Sequence, residues 1–158
     1  MIREILFRGK KETITRENKK YTDGWVCGDT LYKDDNGVYL IPMGVSAESY
    51  HLGKYDFRAN SDRFEIMVAK INPETLGQYI GRTDKNGRKI FEGDILEFDF
   101  DDIGKQMAVV YYNEKYHSFL LNVITSNFQF TDIGDGVIVG NIHDNPELII
   151  IKKKRKGK

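Results

Sequence analysis

The side chains best suited to metal binding or covalent catalysis are a single cysteine, Cys27, and three histidines, His51, His117 and His143. No two of these histidines have the spacing that pairs metal ligands on one helix or strand, and Cys27 lies far from all three along the chain. His143 and Asp144 would supply two members of a catalytic triad, but the sequence has no nucleophile in an elbow motif. We therefore expect no catalytic residue, no metal and no cofactor, and a protein that is not an enzyme.

Structural roles are expected for these residues instead. Cys27 follows Trp25 and Val26, and a lone cysteine in such apolar company is typical of a small buried side chain. The histidines are expected in loops. The sequence contains no phosphate-cradling motif of the GxGxxG or GxxxxGK[ST] type.

The segment Asp84-Lys85-Asn86-Gly87 has the residue types of a calcium loop but not its spacing. A calcium loop needs glycine at its sixth position and glutamate at its twelfth. Counted from Asp84, Gly87 is fourth and Ile95 is twelfth. Asn-Gly is instead typical of a type I′ turn, which has positive φ at both central residues. The sequence therefore predicts a tight hairpin here.

The strongest charge signal is the C-terminal tail, residues 152–158, which holds six basic residues: Lys152, Lys153, Lys154, Arg155, Lys156 and Lys158. Outside the tail, 18 basic residues stand against 24 acidic ones, a net charge of −6. One interpretation is a disordered, solubilising end, since runs of like charge stay unfolded. The other is a salt-sensitive, sequence-independent contact with nucleic-acid phosphates, although the acidic body argues against a broad nucleic-acid surface.

The elements that would position these residues are best defined in Asn72–Phe100. Asn72 is a good N-cap and a proline follows it, so the sequence predicts one short helix near 73–80. After the hairpin, Glu92-Gly93-Asp94 predicts a second sharp turn. Ile95–Phe100 alternates apolar and acidic residues, which is the pattern of a half-buried strand.

Beyond Phe100, short apolar runs are separated by turn residues. They predict strands at Met107–Tyr112, Phe119–Ile124, Ser126–Phe130 and Val137–Ile142. Several short strands at regular spacing are typical of a small barrel. The predicted fold class is mainly β, a β-rich α+β fold whose C-terminal half is a small SH3-like or related β-barrel.

The N-terminal region is also predicted to be rich in short strands. They are expected at Arg3–Arg8, within Tyr21–Tyr32 and at Val38–Pro42, with a polar loop at Gly9–Lys20. Residues 44–62 predict a long loop, and loops of that length are either mobile or functional. The expected organisation is an N-terminal β-rich region (1–71), a unit of helix, hairpin and barrel (72–151) and a disordered basic tail (152–158).

Four ordered segments resemble the motifs of one protein family. They are REILFRGK, GWVCGD, INPETLGQYIGRTDKNGRKIFEGDIL and VIVGNIHDNPEL, which span both ends and the middle of the chain. Together they are similar to the YopX family of small proteins encoded by phages and prophages. The resemblance implies a mostly β fold with a barrel-like C-terminal half and a phage context. It implies no established activity and no site residues.

The sequence predicts neither export nor membrane insertion. The start of the chain has no apolar core of signal-peptide length, and no apolar run approaches a membrane span. A single cysteine fits a reducing cytoplasm, here that of a host bacterial cell. Two functional hypotheses remain. One is an interaction module that binds a host or phage protein or forms a homo-oligomer. The alternative is a nucleic-acid-binding accessory protein that uses the basic tail and barrel aromatics.

Overall fold

Apolar runs with period-two alternation form strands along most of the chain that the structure describes. The computed structural model describes residues 4–14, 19–42, 53–59, 62–100, 104–123, 126–128 and 136–149. In chain order the strands are β1 (Phe7–Ile14), β2 (Lys19–Asp34), β3 (Gly37–Pro42), β4 (Gly53–Ala59), β5 (Asp62–Ile71), β6 (Gly77–Thr83), β7 (Lys89–Phe91), β8 (Asp94–Phe100), β9 (Gly104–Asn113), β10 (Ser118–Val123), β11 (Ser126–Phe128) and β12 (Val137–Asn141). The chain divides into two units, Met1–Gln78 and Tyr79–Lys158.

The first unit is built on a ring of four antiparallel strands. β1 pairs with β2, β2 with β3, and β3 with β5. The ring closes where β5 returns to β1, through Ile71 opposite Lys11. Val26, Leu40, Ala69 and Ile71 form the buried core of this barrel. β4 pairs with the part of β5 that precedes the closing residues.

The second unit is an antiparallel sheet with the strand order β11-β10-β9-β8-β12. The hairpin of β6 and β7 contributes Ile80 and Ile90 to the core on one face of this sheet. The other members of that core are Leu96, Phe98, Ala108, Val110, Leu121 and Val123. Beside strands β8 and β9, Ile95 and Leu148 border a cavity of about 20 Å³, which is room for about one water molecule.

The predicted mainly β fold with a barrel is confirmed. Among the described residues, the closing pairings lie in the first unit, and the second unit is a sheet with β11 and β12 at its edges. Barrel closure depends on pairing between Lys11 and Ile71, residues far apart in sequence, and local alternation carries no information about such a contact. The four strands predicted beyond Phe100 are confirmed as β9 to β12.

The helix predicted near 73–80 is shorter than expected. It is a 3₁₀ helix at Pro73–Thr75, and the predicted N-cap is confirmed because the Asn72 side chain accepts a hydrogen bond from the Glu74 amide. Leu76 is already extended, with φ −65° and ψ 123°, and Gly77 begins strand β6 and pairs with Arg8. Pairing of Gly77 with β1 is therefore favoured over continuation of the helix, because glycine destabilises a helix interior. No helix among the described residues is long and apolar enough to cross a membrane.

Two N-terminal segments that the sequence predicts as loops contain strands. The predicted loop at residues 44–62 contains β4, which pairs with β5 from Gly53 opposite Val68 to Ala59 opposite Asp62. The loop predicted at Gly9–Lys20 is mostly strand, because β1 and β2 continue into it from both sides. The loop at Gly9–Lys20 was predicted from its polar composition. Charged residues nevertheless form strands when one face of the strand is solvated.

Replacing Leu121 by alanine should destabilise the second unit strongly. Leu121 is fully buried in the core of that unit, and deleting such a side chain leaves a cavity, so the free energy of unfolding should fall by about 2–5 kcal/mol. Urea denaturation followed by circular dichroism measures this change. Asn122→Ala, at the exposed next position of the same strand, is the matched control and should change the free energy by less than about 0.5 kcal/mol. Equal losses in the two variants would contradict the assignment of the core.

Candidate functional site

The residues with catalytic or metal-binding chemistry do not converge in the part of the chain that the structure describes. Cys27 is exposed, which corrects the expectation of a buried thiol, because Val26 takes the inward position on β2. His117 is exposed in the turn after β9, and His143 is partly exposed in the turn after β12. No group of three or more His, Cys, Asp or Glu side chains among the described residues could hold a metal ion. His51 lies outside the described residues.

The basic tail cannot be placed in the fold. Its predicted nucleic-acid contacts, Lys152, Lys153, Lys154, Arg155 and Lys156, all lie outside the described residues.

Asp84 is a buried carboxylate that resembles a site residue but secures a turn. Its side chain is fully buried and accepts hydrogen bonds from the amides of Asn86 at 2.9 Å, Arg88 at 2.9 Å and Ile138 at 3.1 Å. The Arg88 guanidinium adds a bond from Nε at 2.9 Å. Burial opposes the charged form, but these donors outweigh it and lower the pKa of Asp84 to about 2.

The Asn-Gly hairpin is confirmed, with a different turn geometry. Gly87 has φ 77°, whereas Asn86 is not among the described non-glycine residues with positive φ. The Gly87 amide donates to the Asp84 carbonyl at 2.9 Å, and the Asp84 amide donates to the Arg88 carbonyl at 2.8 Å. This is the pattern of a type I turn followed by a left-handed glycine, rather than a type I′ turn.

The same turn covers the outer edge of β12. Ile138 directs both backbone polar groups away from β8: its amide donates to Asp84, and its carbonyl accepts from the Arg88 guanidinium. Two residues before Ile138, the Gly136 carbonyl accepts a hydrogen bond from the Lys85 amide at 3.1 Å. Exposed strand edges invite pairing with other chains. Here the edge groups of β12 already have partners within the chain.

The motif VIVGNIHDNPEL also has a structural explanation. The Asn141 side-chain oxygen accepts from the amides of His143 and Asp144, both at 2.9 Å. The Asn145 side chain accepts from the Asn141 amide at 3.3 Å. A Cβ at Gly140 would lie 2.5 Å from the Asn145 side-chain oxygen, so a larger residue here would have to displace the Asn145 side chain. His143 and Asp144 are thus parts of a turn that Asn141 holds.

The end of the β9–β10 hairpin carries exposed aromatic residues. We define the hairpin tip as Tyr112, Lys115, Tyr116 and Phe119. Tyr116 is 59% exposed and Tyr112 is 43% exposed. The Tyr112 ring meets Phe119 edge-on at 5.4 Å, and the Lys115 ammonium lies 5.4 Å from the centre of the Tyr116 ring. The tip is thus a small aromatic surface with a cation beside it.

A second surface combines cations with the single tryptophan. We define the barrel face as Arg8, Lys10 and Trp25, on the outside of strands β1 and β2. The Arg8 guanidinium carbon lies 4.7 Å, and the Lys10 ammonium 5.6 Å, from the centre of the Trp25 ring. This surface could not be predicted from the sequence, because it depends on the register between β1 and β2. The exposure of Tyr116 could have been anticipated from the turn expected between β9 and β10.

The structure thus defines a small, mainly β protein of two units, whose clustered polar side chains mostly secure turns. The chain belongs to the YopX family: the family described as YopX protein matches residues 44–150. This confirms the resemblance seen in the sequence motifs.

A solved structure shares the fold. The crystal structure of protein EF1440 from Enterococcus faecalis is similar at 23% sequence identity, with 92% of this chain and 97% of that chain covered and a TM-score of 0.54. At this identity the likeness shows the fold alone. A comparison with curated proteins finds no match.

Replacing Asp84 by asparagine should lower stability in a pH-dependent way. The variant keeps the shape but loses the charge that its donors stabilise, so the free energy of unfolding at neutral pH should fall by roughly 1–3 kcal/mol. Since the pKa is lowered from 3.8 to about 2, the contribution of Asp84 is fully present above the ordinary value and is lost as the pH falls through about 2. Urea denaturation between pH 7 and pH 2 measures the difference between wild type and variant.

Asp35→Asn is the control for this experiment, because Asp35 is exposed in the turn between β2 and β3. It should have almost the same stability as wild type at neutral pH. A gap between wild type and Asp84→Asn that stays constant down to pH 2 would contradict the role given to the Asp84 charge.

Proposed function

We propose that this YopX-family protein is a phage- or prophage-derived, non-enzymatic interaction module that binds a protein partner through its hairpin tip. The observation that carries the proposal is the exposure of Tyr116, at 59%, on a turn that is nevertheless held in place by hydrogen bonds. Large exposed aromatic side chains on ordered turns are typical of binding surfaces.

The turn is ordered by Asn113. Its side-chain oxygen accepts from the Tyr116 amide at 3.2 Å, and its side-chain nitrogen donates to the Tyr111 hydroxyl at 3.0 Å. On the neighbouring strand residue, the Tyr112 amide donates to Glu92 at 3.2 Å. His117 adopts φ 48°, a conformation that few non-glycine residues take. A turn fixed in this way loses little conformational entropy on binding, which favours affinity.

The chemistry of the tip suits a protein surface. Tyrosine and other aromatic residues are enriched at the centres of protein interfaces, with polar residues around them. Tyr112 and Tyr116 would provide the centre, and the exposed Glu114, Lys115 and His117 would provide the rim. The partner is proposed to be a host or phage protein or a second copy of this chain, which would make a homo-oligomer.

A photo-crosslinking amino acid at position 116 tests this proposal. It should give a discrete protein adduct in the bacterium that encodes the protein, because the tip would be in direct contact with its partner. The same reagent at Lys85, which is exposed on a different turn, is the matched control and should give none. The adduct, identified by mass spectrometry, should disappear when an excess of unlabelled wild type competes, and persist when Tyr116→Ala competes.

Adducts of equal yield from both positions, or none from position 116, would contradict a partner at the tip. An adduct with the mass of two chains would support a homo-oligomer, and one with a single other protein would support a heterologous partner.

A second candidate function is a nucleic-acid-binding accessory protein. The observation that favours it is the pairing of two cations with Trp25 on the barrel face, in addition to the basic tail. A gel shift over a range of salt concentrations, with and without residues 152–158, separates the two contributions. Binding that vanishes with the tail would reduce this function to phosphate contact by the tail, whereas binding that survives would place contacts in the folded units.

A further inference from the structure

We propose that the barrel face binds single-stranded nucleic acid, with phosphates held by Arg8 and Lys10 and an unpaired base stacked at Trp25. This inference rests on the second candidate function and is independent of the hairpin tip. It assigns that function a site in the folded part of the chain, where the tail plays no part.

The strand register places the three side chains together. Lys10 lies opposite Trp25 and Arg8 opposite Cys27 in the antiparallel pair of β1 and β2. The intervening pair, Gly9 and Val26, points into the barrel, where Val26 is 3% exposed. Because successive strand residues face opposite sides, Arg8, Lys10 and Trp25 share the outer surface of the barrel.

The contacts within the barrel face fix its chemistry. Both cations lie within the distance at which the face of an indole ring attracts them, at 4.7 Å for Arg8 and 5.6 Å for Lys10. All three side chains are partly exposed. An incoming ligand therefore meets two positive charges and two planar groups, the indole and the guanidinium, at one place.

Single-stranded nucleic acid matches this combination. Proteins that bind it pair cationic side chains that follow the phosphates with planar side chains on which bases stack, and arginine planes serve as well as aromatic rings. A duplex offers its phosphates but keeps its bases stacked within the helix. An acidic peptide would satisfy the charges but has no flat ring for Trp25. The single strand is thus the ligand that uses all three side chains.

Two side chains at or beside the barrel face, Trp25 and Cys27, can report ligand binding there. Trp25 is its only tryptophan and Cys27 its only cysteine, and Cys27 is exposed opposite Arg8. Titrating the full chain with an oligothymidylate of about 12 nucleotides, within the site size of small nucleic-acid-binding barrels, should quench tryptophan fluorescence to saturation. The same titration should slow alkylation of Cys27. A duplex of equal length and polyglutamate should leave both signals unchanged.

Variants of the full chain measure how much the charges of Arg8 and Lys10 contribute to the salt dependence of oligonucleotide binding. Arg8→Gln with Lys10→Gln removes two phosphate contacts, so the slope of log affinity against log salt should become shallower by about 1.4, equivalent to a roughly tenfold smaller loss of affinity over a fivefold rise in salt. Lys33→Gln with Lys85→Gln removes the same charge at two other exposed positions and should leave the slope unchanged. Tyr116→Ala should change neither reporter, which separates this site from the hairpin tip.

Three results would overturn the proposal. One is oligonucleotide binding, seen by anisotropy of a labelled strand, that alters neither the Trp25 signal nor Cys27 alkylation, since binding would then use the tail alone. Another is quenching by polyglutamate equal to that by oligothymidylate, which would indicate an acidic protein surface as the ligand. The third is an equal change of slope in both double variants. If the Arg8 and Lys10 variant does not fold, Cys27 protection in the unaltered chain still decides the question.

Discussion

The second unit depends on one buried negative charge. Asp84 accepts hydrogen bonds from its own turn and from Ile138, and so fastens the β6–β7 hairpin to the edge strand β12. A buried carboxylate is costly unless its lone pairs are filled, and here four N–H groups fill them. The fastening is directional. A hydrophobic contact could hold the hairpin against the sheet, but only fixed donors and acceptors also set the hairpin's register and occupy the polar groups at the edge of β12.

Polar residues secure other turns of the second unit in the same manner. Asp94 is 1% exposed and accepts from the Phe91 amide at 2.8 Å, and Asn141 and Asn145 close the turn after β12. In a fold of short strands, many backbone groups lie at turns and need partners other than a strand ladder. Asp and Asn side chains supply those partners over short sequence distances. Their abundance in the family motifs is thus accounted for by turn formation.

Sequence reasoning succeeded where structure is local. The Asn86-Gly87 hairpin, the Asn72 cap and the strands after Phe100 follow from turn residues and period-two alternation. Sequence reasoning was less successful where segments that are distant in sequence pair with each other. The helix expected after Thr75 gave way to pairing of Gly77 with β1, and the barrel closes between Lys11 and Ile71. The barrel face was missed for a related reason: each of its residues is ordinary by itself, and only the register of β1 and β2 brings them together.

Apart from Phe119, which packs against the core of the second unit, the side chains of the two proposed surfaces lie outside the hydrophobic cores. The cores consist of aliphatic residues and a few aromatic ones, and the turns are fixed by Asp84, Asp94, Asn141 and Asn145. Tyr116 lies mostly in solvent, and the side chains of the barrel face lie on the outside of the ring. In this chain the buried carboxylates Asp84 and Asp94 hold turns, whereas the side chains proposed for binding lie on outer surfaces.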